Sequence, residues 1–446
     1  MNGRRAPSRA PAPNRKTDIA GLGARRAALA AISDVLRKRR PLDVALEQAL
    51  AVAKLDTRDA GFARAIATET LRRFGQLDSI LRHFVPKSPP PHKAGTTMEI
   101  LLAGACELLF LDVAPHAAVD AANHLAQDDS KAVHFKSLIN AVLRRVSREG
   151  KALAETTDQA LNTPDWLWRR WLADFGAEGA GSIQTAHLSI PPLDLVLKSN
   201  DAATLFPDAV ALAPGRLRLG NSGNVEALPG FHDGVWWVQD FAASLPARLL
   251  GDVAGARVID LCAAPGGKTA QLAAAGASVT AVDLVPERLR MVEENLARLR
   301  LNAECIAADA RDWRPTSPAP FVFLDAPCTA TGTIRRHPDL PWIKSAADIP
   351  ACESLQSELL SAAADMTAPG GTLVYAVCSL EPEEGVDQIE AFLRTRTDFT
   401  RVPITADDVF ESAFVSSAGD LRTLPYYWHD KGGMDGFYAA RLKRSL

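Results

Sequence analysis

Two cysteines close apolar runs that end in loops. Cys328 is the last residue of FVFLDAPC (321–328), and Cys378 is the last residue of GTLVYAVC (371–378). Each run is short, apolar and bounded by polar residues, as expected of a strand buried on both faces. Both thiols are therefore expected where a strand gives way to a loop. A lone cysteine is most often a small buried hydrophobe. Two of the six in this chain at the ends of strands read as neighbours point further, to a thiolate that attacks an electron-poor carbon.

A second constellation lies upstream, where the strand VIDLC (258–262) runs into DLCAAPGGKT (260–269). A glycine turn between a strand and a helix points backbone N–H groups at a ligand. A phosphate-cradling loop needs a glycine five residues before the Gly-Lys pair, and Cys262 stands there. The dinucleotide fingerprint G-x-G-x-x-G is also absent. Asp283 ends the next strand (SVTAVD, 278–283), where a carboxylate accepts from both ribose hydroxyls, and Asp309 ends a third (AECIAADA, 303–310), where an acid bonds an adenine amino group. A nucleoside without phosphates suits this set. A generic nucleotide-type fold with no such ligand is the plainer alternative.

A thiol, a nucleoside-bearing cofactor and an acid together suggest methyl transfer to a pyrimidine. C5 of cytosine is a poor nucleophile. Thiolate addition at C6 makes C5 electron-rich, C5 takes the methyl group of a sulfonium, and loss of the C5 proton expels the thiol. Asp325, three residues before Cys328, would bond the N3/N4 edge and stabilise charge in the ring. Position alone leaves open which cysteine attacks.

These residues need a scaffold. From 251 to 446 apolar strands alternate with the helices KTAQLAAA, PERLRMVEENLARLR and ACESLQSELLSAAADM, so a doubly wound parallel sheet is expected, with ligands at the carboxyl ends of its strands. Residues 19–150 read as helices throughout, with a break at Pro41 and a linker at KSPPPHKAG (87–95). Residues 151–250 read as a helix over 163–180, capped by Thr163 with Pro164 in its first position, then a small α+β insert carrying LDLVLKSN, RLRLGN and GVWWVQD.

Composition narrows the class. The net charge of −3 hides a split: residues 1–150 hold 24 Lys and Arg against 15 Asp and Glu, leaving 26 against 38 in the rest. A basic first third suits a polyanion, although a solvated helical surface would look the same. The opening MNGRRAPSRAPAPNRKT is cationic and proline-rich with no apolar stretch after it, so residues 1–18 read as a disordered basic tail rather than a leader. No apolar run is long enough to span a bilayer. The six cysteines form no CxxC pair and no cluster with histidine, so reduced thiols and no metal are expected, in the cytoplasm.

The long motifs resemble those of the bacterial 16S ribosomal RNA cytosine-C5 methyltransferase B family, the RsmB/Sun/Fmu group. DLCAAPGGKT resembles its S-adenosylmethionine loop. DAPCTATGTIRRHPDLPW (325–342), YAVCSLEPEEG (375–385) and GMDGFYAARL (433–442) resemble its later motifs, and the N-terminal helices with LINAVLRR (138–145) resemble a NusB-like RNA-binding domain. The resemblance covers about residues 20–445. It implies a multidomain chain with an all-α NusB-like domain and an α/β Rossmann-like class I methyltransferase domain. It also implies S-adenosyl-L-methionine as cofactor and RNA as partner; a monomer is expected. By position it makes Cys378 the nucleophile and Cys328 the group that assists proton removal and release. Cys262, Ala263, Ala264, Pro265, Gly266, Gly267, Lys268, Asp283, Asp309 and Asp325 become cofactor contacts. Arg335, Arg336 and His337 read as phosphate or base contacts.

Val377 and Gly385 depart from the Thr and Asn usual in the family, which bears on loop detail more than on the thiol. Three alternatives stand beside this reading. One is the same chemistry on tRNA. Another is a non-catalytic NusB-like RNA-binding or antitermination factor. The third is a DNA-type enzyme attacking through Pro327-Cys328, against which the second cysteine at Val377-Cys378 argues.

Overall fold

The computed structural model describes residues 20–87, 89–220 and 223–446; the basic segment 1–18 lies outside them. The chain divides into two compact units that interleave along the sequence. Of the described residues, one holds those within 20–33, 43–67 and 80–156, and the other those within 34–42, 68–79 and 157–446.

The first eight helices are α1 (Leu22–Lys38), α2 (Leu42–Ala53), α3 (Thr57–Arg72), α4 (Phe74–Phe84), α5 (Pro91–Ala94), α6 (Thr97–Leu109), α7 (Pro115–Asp128) and α8 (Lys136–Thr156). The described residues before 157 contain no strand. In the first unit α6 is buried along nearly its whole length and packs on α7 and α8. In its interior the Arg25 guanidinium pairs with Glu107 at 2.6 Å.

The second unit begins its own secondary structure with α9 (Asp165–His187). Pro164 is extended (φ −58°, ψ 147°) and precedes the helix as its cap position, so Thr163 is not the cap that the sequence suggested. Four antiparallel strands follow, β1 (Leu193–Leu197), β2 (Val210–Ala213), β3 (Arg216–Leu219) and β4 (Trp236–Val238), in the order β2-β3-β1-β4. They enclose Leu195, Leu197, Leu217 and Trp236.

The main sheet contains β5 (Arg257–Leu261), β6 (Ser278–Asp283), β7 (Glu304–Ala307), β8 (Ala319–Asp325), β9 (Thr367–Val377), β10 (Phe399–Arg401), β11 (Leu421–Thr423) and β12 (Phe437–Arg444). Its order is β10-β12-β9-β8-β5-β6-β7, with β11 on β12. From β9 to β7 the pairing is parallel, as expected. The β12, β10 and β11 pairings are antiparallel, so the sheet is mixed at that edge. Helices α10 (Gly267–Ala274), α11 (Pro286–Leu299), α12 (Leu340–Ile343), α13 (Ile349–Met366), α14 (Val386–Thr395) and α15 (Ala406–Val409) complete it.

Both faces of the sheet carry a core. Val322, Leu324, Leu373, Tyr375 and Val377 pack with α13 and α14 on one side. Phe323, Val374 and Ala376, one residue out of step, pack on the other with Phe241, Phe414 and Phe437. Helix α11 shows the matching helical period, burying Leu289, Val292, Leu296 and Leu299. A Leu296→Ala cavity in such a core costs about 2–5 kcal/mol. This rigid two-sided packing fixes the strand ends that carry the chemistry.

Candidate active site

The turn after β5 is built from unusual backbone. Cys262 has φ +60° and Gly266 φ +94°, and Gly266 opens α10. A Cβ on Gly266 would meet Val292 Cγ1 at 2.9 Å, so this position needs glycine for both conformation and packing. Asp283, at the end of the adjacent β6, accepts from Ala264 N at 3.0 Å and Val285 N at 3.1 Å and is nearly fully buried. Arg288 closes the other side by donating to Ala264 O at 2.9 Å.

Acids crowd this turn. Asp260 is fully buried; Thr269 Oγ1 donates to its Oδ2 at 2.6 Å, and its Oδ1 has no hydrogen-bond partner. Burial first, and then the charges of Asp325 and Asp283, push its pKa up to about 7. Burial followed by Asp325, Asp283 and Asp260 pushes the Cys262 thiol up as well. An orphaned carboxylate oxygen among three acids is a setting for a cation. S-adenosylmethionine carries two positive centres, so these residues fit that group.

Asp309 lies two residues beyond β7 rather than at its end. Its side chain accepts from Arg311 N at 2.9 Å and from Arg311 Nη2 at 2.7 Å. The Arg311 guanidinium holds its carboxyl below the usual range.

The two cysteines sit side by side. Cys328 follows β8, Cys378 follows β9, and these strands pair in parallel with Asp325 opposite Ala376. The sulfur atoms are 3.6 Å apart, within hydrogen-bond reach for thiols. The hydrogen bond to Cys378 is the main cause, with burial next, that raises the Cys328 pKa well above its ordinary value.

Lys268 donates to Asp325 Oδ2 at 2.6 Å. Burial works against the Lys268 charge, but Asp325 more than offsets it, and the Cys378 charge adds to the effect, so the ammonium stays protonated. Arg336 follows the same pattern: burial opposes its charge, Asp435 restores it, and Cys378 contributes. Two cations thus act on the Cys378 sulfur.

The basic triplet after Cys328 divides. Arg335 is buried and bonded to Asp240 (2.5 Å) and Asp435 (3.1 Å), which corrects the expectation that it contacts phosphate or base. Arg336 keeps about a third of its side chain in solvent (36%), the rest being covered, and also bonds Asp435. His337 is half-buried.

Several residues that hold the thiols were missed from sequence. Gly332 N donates to Cys378 O at 3.0 Å. A Cβ on Gly332 would lie 2.0 Å from Gly436 O, so only glycine permits that approach. Arg422 donates to Ser379 O at 2.9 Å and Leu380 O at 2.6 Å. Glu384 gathers Thr329, Ser379 and Gln356. The available signal was a hydroxyl residue directly after each cysteine, in Cys328-Thr329 and Cys378-Ser379.

Residues 247–443 match the family model "16S rRNA methyltransferase RsmB/F", and residues 22–148 match the NusB family. The ribosomal RNA small subunit methyltransferase B of Pseudomonas putida is 38% identical over 442 residues, covering 94% of this chain and 98% of that protein. The chain belongs to the ribosomal RNA small subunit methyltransferase B family. The Pasteurella multocida protein of the same name is 35% identical over 88% of this chain and 90% of its own. A crystal structure titled PH0851 shares the fold with a TM-score of 0.76, at 23% identity over 96% of this chain and all of that one. Membership makes S-adenosylmethionine the cofactor and the second unit a class I methyltransferase fold. Among the described residues no helix is long and apolar enough to cross a membrane, and no cluster of metal-ligating side chains occurs.

Proposed function

We propose that this protein methylates C5 of a cytosine in 16S ribosomal RNA, with Cys378 as the attacking thiol and Cys328 as the group that completes release. The carrying observation is the thiol pair at 3.6 Å beside the Lys268–Asp325 ion pair. The small-subunit ribosomal RNA named for the relatives supplies the substrate class.

The Cys262–Lys268 turn, Asp283, Asp309 and Asp325 hold the cofactor. S-adenosylmethionine supplies, when bound, a methyl group on a sulfonium whose C–S electron pair stays with the departing thioether. Cys378 Sγ forms a bond to C6, and the C5=C6 pair moves towards C5, which takes the methyl group. Asp325 receives the N3/N4 edge of the base, and Lys268 keeps that carboxylate in place.

Bond formation by Cys378 removes the partner whose hydrogen bond and charge hold the proton on Cys328. Cys328 then becomes more acidic, gives its own proton to solvent, and as a thiolate takes the C5 proton, directly or through water. The C5–H electrons restore C5=C6, and the S–C6 pair returns to Cys378. The basic helical region 19–150 serves this reading as the RNA-binding part.

The test is trapping. Each variant is incubated with unmodified 16S ribosomal RNA and S-adenosylmethionine, then run on a denaturing gel. Cys328→Ala is expected to accumulate a protein–RNA adduct, whereas Cys378→Ala and the double variant form none and do not turn over. Adduct with Cys378→Ala but not Cys328→Ala would move the attack to Cys328 and overturn the assignment.

A further inference from the structure

The sequence gives Glu384 no obvious task. It ends a short turn (Pro382–Glu384) and its side chain is fully buried. Four donors converge on it. Thr329 N (2.8 Å) and Gln356 Nε2 (3.2 Å) reach Oε1, while the Thr329 and Ser379 hydroxyls both reach Oε2. Thr329 directly follows Cys328, and Ser379 directly follows Cys378. Gln356 also donates to Pro327 O at 2.9 Å, on the other side of Cys328. Tyr375, on β9, donates to the Glu384 carbonyl at 2.6 Å, tying the turn to the strand that carries Cys378.

We propose that Glu384 is a positioning residue: one buried carboxylate that locks the Cys328 loop to the Cys378 loop through Thr329 and Ser379 and so sets the separation of the two thiols. The inference rests on the reading that both thiols act in one reaction. Its physical basis is direct. A carboxylate has lone pairs for four donors, and charge-assisted hydrogen bonds are about twice as strong as neutral ones. A hydroxyl network with no such acceptor would have several competing arrangements, each with its own sulfur–sulfur distance. The cost of burying the charge is met by its being fully bonded.

The separation can be read without RNA. In the full-length protein, mild oxidation by diamide, a two-electron thiol oxidant, would join Cys328 to Cys378. Both thiols lose a proton, one S–S bond forms, and the diazene is reduced to the hydrazine. The cross-linking rate divided by the alkylation rate of each thiol in single-cysteine backgrounds gives an effective concentration, independent of thiol acidity. Glu384→Gln and the charge-retaining pair Thr329→Val/Ser379→Ala should each lower that ratio about tenfold. Adenosylmethionine affinity should be unchanged. Thr329→Ser, which keeps the hydroxyl, should restore the wild-type ratio.

In turnover, kcat should fall by a similar factor at constant KM for RNA. Wild-type ratios and kcat in both Glu384→Gln and the hydroxyl pair would overturn the proposal, and the pair keeps the test open if the Gln variant does not fold. Lowered ratios in a protein whose wild type methylates no cytosine would uphold the positioning role and sink the proposed reaction instead.

Discussion

Cys262 and Cys378 are the same residue at the same kind of place. Each follows a strand in the parallel part of one sheet, β5 and β9, with only β8 between them. Their surroundings are opposite. Cys262 faces Asp325, Asp283 and Asp260, which with burial push its thiol up. Cys378 interacts with the charges of Lys268 and Arg336, and the Cys328 sulfur lies 3.6 Å from its own. A strand end makes a cysteine available, and the charges around it decide whether it works as a thiolate. Charge is thus separated along the strand ends, with carboxylates around Cys262 and cations acting on the Cys378 sulfur.

The sharpest way to break this contrast is to remove the cation at its centre. Lys268→Met leaves Asp325 without its partner and takes one positive charge from Cys378. Turnover should fall on the order of a hundredfold. The pH midpoint for iodoacetamide labelling of Cys378 should move upward, read by mass spectrometry of the labelled peptides. An unmoved midpoint would mean that Lys268 does not act on the sulfur.

On the acidic side, Asp283→Ala should weaken adenosylmethionine binding about tenfold, since a charged hydrogen bond is worth about 1.5–3 kcal/mol. Calorimetry measures it, and unchanged affinity would leave Asp283 as a purely structural cap on the Ala264 and Val285 amides.

At Asp260 the expected effect is on stability rather than on turnover or binding. Its folded-state pKa is raised, to about 7 against an ordinary 3.8. Between those values the unfolded chain has lost a proton that the folded chain keeps, so this group's contribution is present below pH 4 and is lost as pH rises towards 7. Asp260→Asn should flatten that loss in denaturant midpoints. His187 pulls the other way. Burial, then Arg335, pushes its pKa down to about 3, so its contribution is lost as pH falls below the ordinary imidazole range. The difference between wild type and variant isolates Asp260, and parallel pH profiles would refute its raised pKa.

Local pattern carried the sheet and the meeting of Cys328 with Cys378, because parallel strands are apolar on both faces and neighbouring ones end on the same side. Where local pattern had no information, the reading stopped. Asp309 ended a strand on paper, but its side chain accepts Arg311 N in a tight turn that closes β7 at Ala307. Strand direction left no trace, so antiparallel β12 was unforeseen. Arg335 read as an RNA contact because its partners, Asp240 and Asp435, lie 95 and 100 residues away. Glu384 is one acid in an acidic run until Thr329, 55 residues earlier, is brought to it.

The segment 68–79 belongs to the second unit although it is spelled out among the first helices. Leu71 and Leu77 are fully buried, Leu71 O accepts from Trp342 Nε1, and Arg72 Nη2 donates to Arg335 O. Trp342 is made 271 residues after Leu71. At about 5–20 residues per second that is a wait of roughly 14 to 54 s on the ribosome. For that time the helix leaving the tunnel has an apolar side whose permanent partners have not yet been made. Its protection during synthesis therefore falls to transient contacts with neighbouring helices or with a chaperone. A fragment that starts after residue 150 never acquires the segment at all, and leaves the Trp342 indole and the Arg335 carbonyl without those partners.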